Sequence, residues 1–302
     1  MVGDQQKYVA KPEGKQMGTD PQVALHAPVG ERIYSGRCGP IVEAGVALRQ
    51  FATGACGARD ISSGTATFEP GACLPYHRHN FSEAATILEG EALFSVHGRS
   101  YRLRRFDCIH IPVRIPHRVL NVSEGEQLVA HWAMATSTPS REWVEEEFPI
   151  QDRSLGLPEP ADPEYIVRFD LAPRYELAQG TQFCDLFAGR FGAVGICGGY
   201  GQFSAGSSLP CHIHEFDESI TIVEGEAVCE VSGKRYRLSD CDTAFVPRGR
   251  PHRFINESAG PMAMIWVYAG NEPERTIVDD RYCKGAPYSD EIGVQVARTR
   301  NS

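Results

Sequence analysis

The chain has 302 residues with 39 acidic and 30 basic side chains, a net charge of −9 and a pI near 5.6. Such a molecule repels phosphate backbones and anionic membranes. Its basic residues are scattered, with no helix-turn-helix pattern among them, so neither nucleic acid nor a membrane is expected as a partner. No apolar run reaches the roughly eighteen residues needed to span a bilayer. The opening MVGDQQKYVAKPEGKQMGTD is too polar for a secretory signal, which makes the cytoplasm the expected location.

With 42% hydrophobic and 23% charged residues the chain reads as a soluble globular protein, long enough for two ordinary domains. Its ten cysteines are scattered without a C-x-x-C pair, so free, mostly buried thiols are expected. Cys211 stands out because it directly precedes His212.

In chain order, residues 1–28 read as an N-terminal arm, 29–150 as a first domain, 151–168 as a Pro- and Glu-rich linker and 169–302 as a second domain with a C-terminal tail. In the first domain, ATILEG (residues 85–90) and EALFSVHGRSYRL (91–103) read as short strands. Glu-Gly-Glu at 89–91 predicts a tight hairpin reversal, and His97-Gly98 predicts another. The stretch EWVEEEF (142–148) predicts a short helix anchored by Trp143 and Phe148. The second domain repeats the strand pattern with SITIVEG and EAVCEVSGKRYRL and the turn Ser232-Gly233. Many short strands with turns this close predict an all-β fold of two tandem antiparallel barrels or sandwiches.

The repeat is also visible residue by residue. PYHRHNFSE at 75–83 returns as PCHIHEFDE at 210–218, an offset of 135 that holds without a gap from Gly71/Gly206 to Asn121/Asn256, with roughly half of the positions identical. His77 and His79 alternate with Arg78, so on a strand both imidazoles point to one side. Glu83 can add a carboxylate once the chain bends, and His117 can supply a third imidazole. Three neutral imidazoles and a carboxylate suit a divalent first-row metal and leave coordination positions open for chemistry. A closed structural zinc site would more often use thiolates.

Gly71, His77, His79, Glu83 and Gly90 are spaced as in the first cupin motif, and Gly206, His212, His214, Glu218 and Gly225 repeat it. Pro112, His117 and Asn121 resemble the second motif, as do Pro247, Gly249, His252 and Asn256. The departures fall at turn glycines, replaced by Phe106 and Cys241 at the first position and by Arg114 at the second in copy one. The chain thus resembles a bicupin over most of residues 60–135 and 195–270. That resemblance implies two jelly-roll-like barrels, one metal held by His77, His79, Glu83 and His117, and a second held by His212, His214, Glu218 and His252.

For function, the resemblance implies a metal-dependent dioxygenase, with Fe(II) favoured over Mn, Ni, Cu or Zn, acting on a small substrate that chelates through oxygen. The same centre could serve an isomerase, decarboxylase or lyase, or a non-catalytic small-molecule-binding cupin. Arg114, just before His117, is a candidate for pairing with a substrate carboxylate, with a solvated loop arginine as the alternative. Arg118, Arg253, Tyr76, Arg78, Cys211 and Ile213 have the parity of the opposite face, which makes Cys211 a packing residue. His97, His110 and His131 fall outside the motifs and read as surface or core histidines, as does His26. Phe81, Phe216, Trp132 and Trp266 read as packing residues. Exposed sheet edges could pair further and give a homo-oligomer.

Overall fold

The computed structural model describes residues 30–288 and the backbone of 297–299, so the expected arm at 1–28 lies outside the described residues. The first repeat contains β1 (Arg32–Tyr34), β2 (Ile41–Glu43), β3 (Val46–Gln50), β4 (Ser62–Phe68), β5 (Cys73–Arg78), β6 (Glu83–Glu89), β7 (Ala92–Val96), β8 (Arg99–Leu103), β9 (Cys108–Ile111), β10 (His117–Asn121) and β11 (Leu128–Met134). The connecting segment contributes β12 (Glu142–Trp143), β13 (Gln151–Asp152) and β14 (Tyr165–Val167). The second repeat contains β15 (Thr181–Phe187), β16 (Cys197–Phe203), β17 (His212–Ile213), β18 (Glu218–Glu224), β19 (Ala227–Val231), β20 (Lys234–Leu238), β21 (Thr243–Val246), β22 (His252–Ile255), β23 (Met262–Tyr268) and β24 (Arg275–Ile277), followed by the short helix α1 (Asp280–Cys283). Among the described residues no helix is long and apolar enough to cross a membrane.

Each repeat folds into two facing sheets. In the first, the order β14-β9-β6-β11-β4-β3-β2 faces β12-β5-β10-β7-β8-β13; in the second, β1-β21-β18-β23-β16-β15 faces a sheet with β20-β19-β22-β17-β24. Alternation along the strands sends one set of side chains into each barrel, as with Phe68, Ile87, Phe94 and Trp132 in the first and Phe203, Ile222, Phe254 and Trp266 in the second. The opposite faces of the larger sheets meet in a shared core, where Ala84, Cys108 and Ala133 pack with Cys184, Phe245 and Ile265. Ser63 and Ser219 hydrogen-bond within it at 2.6 Å.

The barrels also exchange strands. β1, which precedes the first barrel, pairs with β21 of the second, while β14, which precedes the second, pairs with β9 of the first. The connecting segment is anchored too: Arg99 makes two 2.7 Å bonds to the buried Glu164 carboxylate, and the Tyr101 hydroxyl donates to it at 2.9 Å.

Three expectations need correction. Glu-Gly-Glu does not close a hairpin: β6 pairs with β9 and β11 while β7 pairs with β8 and β10, so the turn carries the chain from one sheet to the other. Gly90 has φ +76°, and a Cβ there would come within 2.6 Å of the Gln127 carbonyl oxygen, so both conformation and close approach demand glycine. The turn at His97-Gly98 does join paired strands, β7 and β8, with φ of +46° and +87° as a type I′ turn requires.

The second correction concerns 142–148. Glu142 and Trp143 form β12 against β5, and Phe148 packs edge-on against Tyr76 at 5.0 Å, so pairing and aromatic contacts outweigh helix propensity. The third concerns the cysteines: Cys211 and Cys283 are disulfide-bonded, because α1 folds back across 72 residues of sequence onto the start of β17.

Candidate metal centres

His77 lies on β5 and His117 on β10, and the two face each other in the antiparallel register. His79 follows β5 directly, and Glu83 opens β6, so the turn at 80–82 carries the carboxylate from one sheet to the other over the imidazoles. The second repeat uses the same device, with His212 opposite His252 and Glu218 at the start of β18. In each group one ligand atom from each of the four residues lies within 4.8 Å of all the others, and all eight residues are buried.

The hydrogen bonds fix which imidazole nitrogen faces inward. Nδ1 of His77, His79 and His117 donates to the carbonyl oxygens of Pro75 (2.7 Å), Ser140 (2.5 Å) and Ile115 (2.9 Å). Nδ1 of His212, His214 and His252 donates to those of Pro210 (2.9 Å), Glu274 (2.7 Å) and Arg250 (2.8 Å). Since a carbonyl only accepts, each Nδ1 carries the proton and each Nε2 presents a lone pair to the centre.

Several of those inward atoms lack partners of their own, although His252 Nε2 meets Glu218 Oε2 at 2.6 Å. His79 and His117 Nε2 lie 3.1 and 2.9 Å from Glu83 Oε2, yet all three atoms are buried without a hydrogen bond, and His214 Nε2 is in the same position. Buried acceptors converging on one point are costly until a cation satisfies them. Burial, reinforced by the neighbouring imidazoles, pushes His77 and His212 well below the usual histidine range and so favours the neutral, ligating form. Burial alone would raise Glu83, but His79 and His117 outweigh it and hold the carboxyl well below its ordinary value. Glu218 is lowered in the same way by His252 and His214. Both sets fit a divalent metal.

The surroundings of the two centres differ. Beside the first is a chamber of about 40 Å³ lined by Leu48, Ala85, Val119, Ala130, Met134 and other apolar side chains, with Arg141 the cation in its wall. The strand registers place Phe183, Ile220, Phe254, Met264 and Tyr268 at the five corresponding positions of the second barrel. Each is larger and buried. Tyr268 packs 4.4 Å from the His214 ring. Phe81 and Phe216 stack on His79 and His214, both at 5.3 Å.

Arg114 points elsewhere. Its side chain is 53% exposed, bonds Asn80 Oδ1 at 2.8 Å and is not part of the chamber wall. It keeps a left-handed φ of +66° in place of the motif glycine, as do Phe106 (+66°) and Cys241 (+65°). Arg118 bonds Ser95 and Arg253 bonds Glu230, both away from the ligands. Arg141 was not visible as a site residue in the sequence. It lies beyond the motifs, and the bond from His79 to the Ser140 carbonyl together with the pairing of β12 on β5 brings this segment to the centre.

Residues 64–134 and 199–268 each match the cupin domain family. Among solved structures, the chain resembles oxalate decarboxylase from Bacillus subtilis at pH 4.6, with 16% identity, a TM-score of 0.67 and coverage of 85% of this chain and 81% of that one. It also resembles the formate complex of oxalate decarboxylase from Lactobacillus farciminis, with 15% identity, a TM-score of 0.68 and coverage of 85% and 91%. Comparison with curated protein sequences returns no match. The chain is a tandem cupin, a bicupin, and each of its two domains carries a His3Glu group that could hold a metal ion.

Proposed function

We propose that the N-terminal barrel is the working chamber of a metal-dependent dioxygenase that cleaves a small, metal-chelating organic acid, and that the C-terminal centre serves the fold. The observation that carries this reading is the difference in the walls: room beside His77, His79, Glu83 and His117, and larger side chains at five of the corresponding positions around the second centre, where only Gly201 for Ala66 and Cys229 for Phe94 are smaller. A divalent ion held there supplies Lewis acidity toward a chelating substrate and, if redox-active, a route for electrons to dioxygen, with Fe(II) favoured and Mn, Ni, Cu or Zn as alternatives.

The chain's own residues support the choice. The three carbonyl-bonded imidazoles and Glu83 fix the ligand geometry, and the apolar wall excludes water from the reacting atoms. Apart from the four ligands and Arg141, no titratable side chain among the described residues lines the chamber. Among the described residues a reaction that relies on a protein proton shuttle thus finds no further group in the wall, which favours the dioxygenase over an isomerase. Decarboxylation is the second reading, favoured by the similarity to solved oxalate decarboxylases.

The test is to incubate metal-loaded full-length protein with small chelating acids, oxalate and glyoxylate among them, while following oxygen uptake and carbon dioxide release. Oxygen uptake stoichiometric with carbon–carbon cleavage is expected. Carbon dioxide release without net oxygen uptake would give the decarboxylase reading. Tight binding with no turnover would overturn both in favour of a binding module.

A further inference from the structure

We propose that Arg141 and Glu43 form a displaceable ion pair that selects substrates carrying a carboxylate: the substrate's carboxylate takes the place of Glu43 on the guanidinium while its chelating end faces the first metal centre. This rests on the reading of the N-terminal barrel as the chamber for an organic acid and adds the pair of residues that recognises the acid's carboxylate.

Arg141 is held where it can do this. Its side chain is 7% exposed, and it lines the chamber together with the four ligands. The chain on either side is fixed, since the Ser140 carbonyl accepts from His79 and Glu142 pairs with Arg78 of β5. The guanidinium lies 4.8 Å over the Trp143 ring. Among the described residues its hydrogen-bond acceptor is Glu43 Oε2 at 2.7 Å, which leaves most of a five-donor fork uncommitted.

Glu43 is the weaker-held partner. It ends β2, the outermost strand of its sheet, paired only with β3, and the turn that follows runs through Ala44 and Gly45, both at positive φ. Ile41 and Val42 on the same strand are exposed. A carboxylate entering an otherwise apolar chamber needs a cation there. A guanidinium can grip it through two parallel bonds, the geometry Glu43 does not use. By register the second barrel's counterpart is Arg275, after the Glu274 carbonyl that accepts from His214, but five of the positions matching the first chamber's wall carry larger side chains there.

The experiment is calorimetric titration of metal-loaded full-length protein with oxalate and with its neutral analogue oxamide, with metal content measured for every variant. Wild type should prefer oxalate. Arg141→Gln should weaken oxalate binding about 10- to 100-fold and leave oxamide unchanged with metal content intact, the loss of a charge-assisted bidentate contact. Glu43→Gln should tighten oxalate several-fold by removing the competing carboxylate, and it carries the test if Arg141→Gln fails to fold. Oxalate binding that survives Arg141→Gln, or that Glu43→Gln leaves unchanged or weakens, would overturn this proposal alone. Metal-loaded wild type that binds neither probe would overturn the chamber reading along with it.

Discussion

The two barrels share a fold, a ligand set and a repeat, yet they differ in what fills them. Around the first centre Leu48, Ala85, Val119, Ala130 and Met134 leave about 40 Å³ open, while the second carries Phe183, Ile220, Phe254, Met264 and Tyr268. Packing adjusts in return: Gly201 stands where the first barrel has Ala66, and a Cβ there would come within 2.5 Å of the Phe183 ring. The duplicated ligand sets are thus alike, and the wall residues, more than the ligands, tell the two barrels apart.

Exchanging wall residues should break the comparison most sharply. Ala130→Met with Met134→Tyr gives the first barrel the second's side chains and should lower turnover and chelator binding at least about 100-fold. Such overpacking costs about 1–3 kcal/mol, so urea unfolding should show the protein still folded while the activity assay shows the loss.

Truncation in the second barrel should do the reverse. Phe254 is 1% exposed, and Phe254→Ala should cost about 3–5 kcal/mol in urea unfolding through the cavity it leaves, while KM for the first chamber's substrate stays within about two-fold. Val119→Ala, at the matching position beside an existing chamber, should cost less.

A smaller difference lies at the shared core. His110 and His131 face it from the first barrel, where the second presents Phe245 and Ile265. Burial lowers His110 to about 4 and His131 to about 3. Below pH 6.5 the unfolded chain takes up protons that these folded imidazoles refuse, so the stability they contribute is complete above pH 6.5 and is lost as pH falls toward 4 and 3. By pH 4 the loss should reach roughly 3 kcal/mol for each. Replacing them with the second barrel's residues, His110→Phe and His131→Ile, should flatten the pH dependence of urea unfolding relative to wild type.

Much of this was legible in the sequence, because the repeat at 135 residues is a direct match of residues and the His-x-His spacing reads through strand alternation. The differences were harder to read. The loop after Asn121 is one residue longer than its counterpart after Asn256, so beyond it the offset becomes 134, and Met134 aligns with Tyr268 only through their pairing with Glu83 and Glu218. Arg141 follows no motif and is brought to the chamber by backbone bonding of Ser140 to His79 and of β12 to β5, which carries no side-chain signature. The exchange of β1 and β14 and the Cys211–Cys283 bond depend on contacts between segments far apart in the chain, beyond what a local pattern records.

The central claim, one working centre and one structural centre, is tested most directly by measuring metal content, turnover and thermal stability together in His77→Ala/His79→Ala and in His212→Ala/His214→Ala. Each variant should lose about one of two metals per chain. The first should then lose all turnover and stay folded, and the second should unfold at a lower temperature but keep its turnover below that temperature. Turnover that survives the first pair of substitutions, or that only the second pair abolishes in folded protein, would contradict the account.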